Sequence, residues 1–201
     1  QAFRYYAKKK TPQYRERDEE KREHYAQKLK DIPKEQRVYL DESGICHKLE
    51  RTHGYSRKGQ RVHALTYGKR KGRTNIIGAW SSEKGLFATQ AYEHTVNKDV
   101  FITWLKNRLI PHLKKGMAVI MDNAPWHKGE DIKQMIQDTG AILIYLPPYS
   151  PDLNPIEHAW ANLKTKIRKA KHTIANQIYI YLERICVICE VLYGCNIWLI
   201  V

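Results

Sequence analysis

The sequence predicts an α/β domain with a mixed central sheet flanked by helices, and three observations predict it. Short β-prone runs separated by glycine-containing turns come first, at Val38 to Leu40, Val62 to Tyr67 and Thr74 to Trp80. From Asn97 onward helical and strand patterns alternate, as expected of an α/β sheet covered by helices. A chain of 201 residues with 42% apolar content is long enough to bury one sizeable core with peripheral segments attached.

Each element has its own signal. Arg15 to His24 is charged or polar throughout, so it predicts a solvated connector helix, ended at Ile32 because Pro33 disfavours helix in the residue before it. Val38 to Leu40 leads into Asp41 as the first strand. Val62 to Tyr67 follows the turn at Ser56 to Gly59 as the second, and Thr74 to Trp80 is the third. Leu86 to Tyr92 either adds a fourth strand after the Glu83-Lys84-Gly85 turn or extends the hairpin beyond the third. Asn97 is an N-cap for a helix carrying Phe101, Leu105 and Leu109, which stops before Pro111. Met117 to Met121 is a continuous apolar run, the pattern of a strand buried on both faces, and it ends at Asp122. A helix at Glu130 to Gln137 and a strand at Ala141 to Leu146 follow. Asn154, Pro155 and Glu157 mark the next helix start by a cap, a first-position proline and a third-position acid. Its face Ile156, Trp160, Leu163 and Ile167 would pack on the sheet. The division expected is a charged N-terminal connector over 1–35, one domain over 36–171, and an atypical apolar tail over 172–201.

Thirty-five Lys and Arg against 21 Asp and Glu leave a formal charge of +14, which favours a polyanionic partner over a small acidic substrate. The four cysteines, Cys46, Cys186, Cys189 and Cys195, follow no cleavable apolar leader, so a reducing, cytoplasmic setting is expected rather than a secreted disulfide framework. Cys186, Cys189 and Cys195 lack a fourth zinc ligand at a usual spacing. The tail's apolar run is broken by Glu183, Arg184, Glu190 and Asn196, which argues against a membrane span.

Three carboxylates are placed for one kind of chemistry. Phosphodiester cleavage without a covalent enzyme intermediate needs an activated water and stabilisation of the attacking and leaving oxygens, which two metal ions about 3.5–4 Å apart supply. Mg²⁺ takes oxygen ligands and keeps several waters, so a few converging carboxylates suffice. Asp41 and Asp122 each end a predicted strand and Glu157 lies in the first turn of a helix. If the two strands are neighbours, the aspartates meet at one sheet edge and the helix presents the third acid. Taken singly, an acid after an apolar run also starts turns, and Glu157 also satisfies a capping box, so capping and metal binding compete for that carboxylate.

The segments Tyr39 to Gly44 (YLDESG), Met121 to His127 (MDNAPWH) and Leu146 to Trp160 (LPPYSPDLNPIEHAW) resemble the three acidic motifs of mariner-like insertion-sequence transposases, members of the DDE superfamily endonucleases. The 34 residues between Asp122 and Glu157 match that group's spacing, and the resemblance runs from about Pro33 to Lys171. It implies a ribonuclease-H-like fold, a metal-binding catalytic triad of Asp41, Asp122 and Glu157, two Mg²⁺ ions for which Mn²⁺ can substitute, and hydrolysis at transposon ends followed by transfer of the 3′-hydroxyl to target DNA. It further implies DNA as partner, a homodimer when full length, and a cytoplasmic, nucleoid-associated, bacterial setting. The helix-turn-helix region that precedes such domains has no counterpart before Asp41, and position 1 is Gln, so a piece of a longer polypeptide with poor sequence preference is expected. A non-mobile nuclease of the same fold and a truncated DNA-binding remnant are the rival functions.

DNA contacts are expected on two basic stretches. Lys164 and Arg168 follow Glu157 at offsets of seven and eleven and so share its helix face, which bears no acid other than Glu157 itself. Between His47 and Arg73 nine Lys or Arg accompany one acid, and Arg57, Lys58, Arg61, Lys69 and Arg70 flank the predicted second strand. The bland alternatives are a solvated face and a soluble loop. Strand alternation turns Glu42 away from Asp41, so it is not counted as a ligand. His127 and His158, beside the second and third acids, orient water or phosphate or are only structural.

Overall fold

The computed structural model describes residues 14–46, 55–61, 63 and 72–170. Five strands form one mixed sheet in the order β3-β2-β1-β4-β5. β1 (Arg37–Cys46), β2 (Arg73–Ser81) and β3 (Gly85–Tyr92) pair antiparallel, whereas β4 (Ala118–Met121) and β5 (Ile142–Tyr145) add to the other side of β1 in parallel. The mixed sheet is as expected, and Leu86 to Tyr92 is settled as a paired strand. Of the predicted strand Val62 to Tyr67 only His63 is described, exposed and outside any strand, while Lys69, Arg70 and the tail over 172–201 with its cysteines lie outside the described residues.

One boundary differs in a way that matters. Asp41 does not end its strand: β1 continues to Cys46, because β2 pairs with it from Tyr39 to Cys46 on the side away from β4. Only the parallel partnership stops early, with Tyr39 opposite Ile120. Asp41 therefore has a strand on one flank and an open edge on the other.

Alternation along the strands divides the core in two. Val38, Leu40, Ile77, Ala79, Val119 and Met121 face α2 (Lys98–Trp104) and α3 (Glu130–Gln137), while Tyr39, Ile45, Ile76, Ala118 and Ile120 face α1 (Glu19–Lys30) and α4 (Ile156–Ala170). The Asn97 cap is present, its side chain accepting from Val100 N–H at 2.9 Å. Past Trp104 the helix widens: Ile110 N–H reaches back five residues to Leu105, and a 3₁₀ turn at Ile110–His112 follows. Pro111 has no N–H to continue the ladder, and the wider turn keeps Leu105 and Leu109 fully buried.

The N-terminal helix corrects its expectation. Asp18 caps it through Lys21 N–H, but it is not solvated all round: Tyr25 and Leu29, four residues apart, are buried against the α4 side of the sheet. The charged run before Tyr25 concealed this two-residue stripe. Two further contacts tie α1 down. The Arg37 guanidinium donates to the carbonyls of Leu29 and Ile32, and Arg22 makes a bidentate pair with Asp152, at 3.0 and 2.7 Å, on the loop leading to α4. Among the described residues, no helix is long and apolar enough to cross a membrane.

Candidate active site

The register of β1 and β4 sets the site. Tyr39 lies opposite Ile120, and continuing that register by two residues sets Asp41 beside Asp122 at the end of their shared edge. Asp41 lies on the α4 face of β1. Asp122 is the first residue past β4, its side chain 52% exposed. Glu157 sits in the first turn of α4, exposed, and near enough for its charge to act on Asp41.

Asp41 is the least comfortable of the three. Burial, then the charge of Glu157, then that of Asp122, push its carboxyl up to about 7 against a backbone N–H and one side-chain hydrogen bond that pull it down. That hydrogen bond comes from Trp160, whose indole N–H donates to Asp41 Oδ2 at 3.0 Å.

Asp122 is braced from the opposite face of the sheet. Burial pushes its carboxyl up, but the hydrogen bond and charge of His127 and the N–H of Ala124 outweigh this and hold it below the usual carboxylate range. Both hydrogen bonds fall on Oδ1. His127 is buried in the 3₁₀ turn Pro125–His127, packed on the Phe101 ring at 4.7 Å, its carbonyl accepting from Tyr145 Oη. Its Nε2 faces Glu42 at 3.4 Å. Burial lowers the affinity of the imidazole for a proton, and Asp122 and Glu42 more than reverse this, raising it to about 9. Alternation does turn Glu42 away from Asp41, but toward His127. Sequence reasoning left Glu42 without a role, and a buried His between two carboxylates is a through-space arrangement that spacing along the chain does not reveal. His158, by contrast, is exposed on α4.

The competition over Glu157 is resolved against capping. The Asn154 side-chain Oδ1 is buried without a hydrogen-bond partner, so it caps nothing, and the Asn154 N–H donates to the Pro151 carbonyl at 2.9 Å rather than to Glu157. The helix begins at Ile156, with Glu157 N–H donating to the Asn154 carbonyl. Among the described residues its carboxylate takes no part in a cap.

The three acids offer carboxylate oxygens, which suit a hard cation such as Mg²⁺. Among the described residues no three Asp, Glu, His or Cys side chains are gathered closely enough to grip an ion as they stand. The same residues place no hydrogen bond or ion pair on Asp122 Oδ2, leaving one oxygen of that aspartate available. Of the basic candidates, Lys164 is half-buried on α4. Arg57, Lys58 and Arg61 are exposed around a turn closed by the Ser56 hydroxyl donating to the Gln60 carbonyl, with Gly59 at φ +88°. Arg168 is helical, its side chain outside what is described.

Comparison with known proteins agrees with the geometry. The profile of the DDE superfamily endonucleases matches residues 36–179. The Tcb2 transposable-element transposase of Caenorhabditis briggsae is 32% identical over 92 residues, 44% of this chain and 34% of that protein; the Tcb1 transposase of the same nematode is 30% identical over 93 residues, with the same coverage. The chain thus spans about a third of the length of these curated relatives. The crystal structure of the mariner Mos1 paired-end complex with Mg superposes with a TM-score of 0.65 at 18% identity, covering 81% of this chain and 53% of that one. That likeness is one of fold, and the fold is ribonuclease-H-like. With the profile running through all three acidic motifs and most of the described sheet, the chain belongs to the DDE superfamily endonuclease family.

Proposed function

We propose that this chain is the catalytic domain of a DNA transposase, with Asp41, Asp122 and Glu157 as its catalytic and metal-binding triad. The reading is carried by one observation: the extended β1–β4 register sets two aspartates side by side while the charge of Glu157 acts on the first. The charges of Glu157 and Asp122 both act on Asp41, and a divalent cation would relieve that repulsion.

Two Mg²⁺ ions, or Mn²⁺ in their place, would supply Lewis-acid stabilisation of the attacking and leaving oxygens. Asp122 is kept ionised by His127 and ready to ligate. Asp41, whose proton affinity burial raises, would ligate through its carboxylate. Glu157, free of capping, would complete the set from α4. Water cleaves a strand at an element end, and the freed 3′-hydroxyl attacks a target phosphodiester. Lys164 and Arg168 on the Glu157 face, with Arg57, Lys58, Arg61, Lys69 and Arg70, take the DNA backbone. The complete protein pairs two ends as a homodimer. It acts where its host's DNA lies; the relatives named above are nematode, so they lend no support to a bacterial setting.

The test is strand cleavage and strand transfer in Mg²⁺ or Mn²⁺ with Asp122→Asn. The variant should bind DNA as the parent does and yield no cleaved strand. Wild-type cleavage by Asp122→Asn would remove the triad, and hydrolysis without strand-transfer products would favour a non-mobile nuclease.

A further inference from the structure

We propose that Trp160 is a positioning residue for Asp41, seated in the gap left by Gly78, and that it sets which carboxylate oxygen is offered to a divalent cation. This rests on the reading of Asp41 as a metal ligand.

The indole N–H of Trp160 donates to Asp41 Oδ2 across 119 residues of sequence, and the ring is 99% buried between α4 and the sheet. The indole holds Oδ2 and the Glu42 N–H also acts on this carboxylate, so the ring helps fix which way the short side chain turns toward a cation. Packing alone does not require tryptophan in that stripe. Its neighbours Ile156, Leu163 and Ile167 are aliphatic, and none of them carries a donor. The seat is equally particular. Gly78 is the β2 residue directly opposite Asp41, and a methyl group there would stand 2.8 Å from Trp160 Cη2 and 3.0 Å from Thr89 Cγ2. A contact that short forces the buried ring to shift, and in a close-packed seat even a small shift draws its N–H off Asp41. Trp160 lies three residues after Glu157 on the same helix, so α4 presents one acid of the triad and anchors another.

The bland account is that Asp41 merely satisfies a buried indole N–H. Trp104 is the internal control, since its buried N–H donates to the Ala88 carbonyl at 2.7 Å on the other face of the sheet. Mn²⁺ affinity of the 201-residue chain, read from the electron paramagnetic resonance of free Mn²⁺, separates the accounts. Trp160→Phe and Gly78→Ala should each weaken Mn²⁺ by about 10–100-fold, the range for residues that orient metal ligands, while Trp104→Phe stays within about twofold of wild type. If Trp160→Phe fails to fold, Gly78→Ala carries the test. Unchanged affinity in Trp160→Phe or Gly78→Ala, with Asp41→Asn losing Mn²⁺, overturns the positioning role and leaves the triad standing. Equal losses in Trp104→Phe overturn it as well. An Asp41→Asn protein that binds Mn²⁺ like wild type overturns both.

Discussion

Asp41→Asn should stabilise the metal-free protein at neutral and higher pH. The carboxyl of Asp41 is raised from 3.8 to about 7, chiefly by burial and then by Glu157, so the folded chain holds a proton that the unfolded chain releases. The sign follows from linkage: between the two values the native state binds more protons, so stability falls as pH rises through that window and is flat above it. At about 1.4 kcal/mol per unit, the loss by pH 8 approaches roughly 4 kcal/mol as an upper figure, since solvent and structural relaxation reduce it. Asparagine is nearly isosteric, can still accept from Trp160, and carries no charge to bury. His127, raised to about 9, also gives stability that is lost with rising pH, but over the window from 6.5 to 9, and it is common to both proteins. Urea unfolding in EDTA from pH 4 to 9 gives the comparison. The stability advantage of Asp41→Asn over wild type should grow from about pH 4, level off near pH 7 to 8, and shrink when Mg²⁺ is restored. A difference independent of pH, or a less stable Asp41→Asn at pH 8, would refute the reasoning that Asp41 is buried against its neighbours' charge.

Two further outcomes are expected. Glu157→Gln should lower cleavage by more than about a hundredfold, beyond the range for residues that merely support metal ligands. Its melting temperature should stay within about 2 °C of wild type, because the carboxylate takes no part in the helix cap; calorimetry beside a nicking assay checks both. Lys164→Ala and Arg168→Ala should each weaken DNA binding and reduce the slope of log affinity against log salt by about 1, without unfolding the protein, which fluorescence anisotropy across salt concentrations would measure. Unchanged slopes would remove that helix face from the DNA path.

What the sequence by itself determined is what short-range patterning encodes. The apolar run before Asp122, the 3.6-residue stripe of α4 and the Asn97 cap each have periods or chemistry readable within a dozen residues, and the structure repeats them. The three acidic motifs were legible for a different reason: at fixed spacing they resemble a family, and the family profile spans them, while the triad itself is our proposal. Long-range contact decided the rest. β1 runs on past Asp41 because β2 supplies hydrogen bonds that the apolar pattern does not announce. Tyr25 and Leu29 are buried because α1 folds back to where Arg22 meets Asp152, 130 residues away. Glu157 forms no capping box because Asn154, a residue type that caps helices, has its side chain buried with Oδ1 unpartnered and its N–H donated to Pro151. The neighbours that tune the aspartates, Trp160 on one face and His127 with Glu42 on the other, come together only when the sheet forms. A carboxylate's proton affinity depends on what surrounds it in space, and local periodicity carries no record of that.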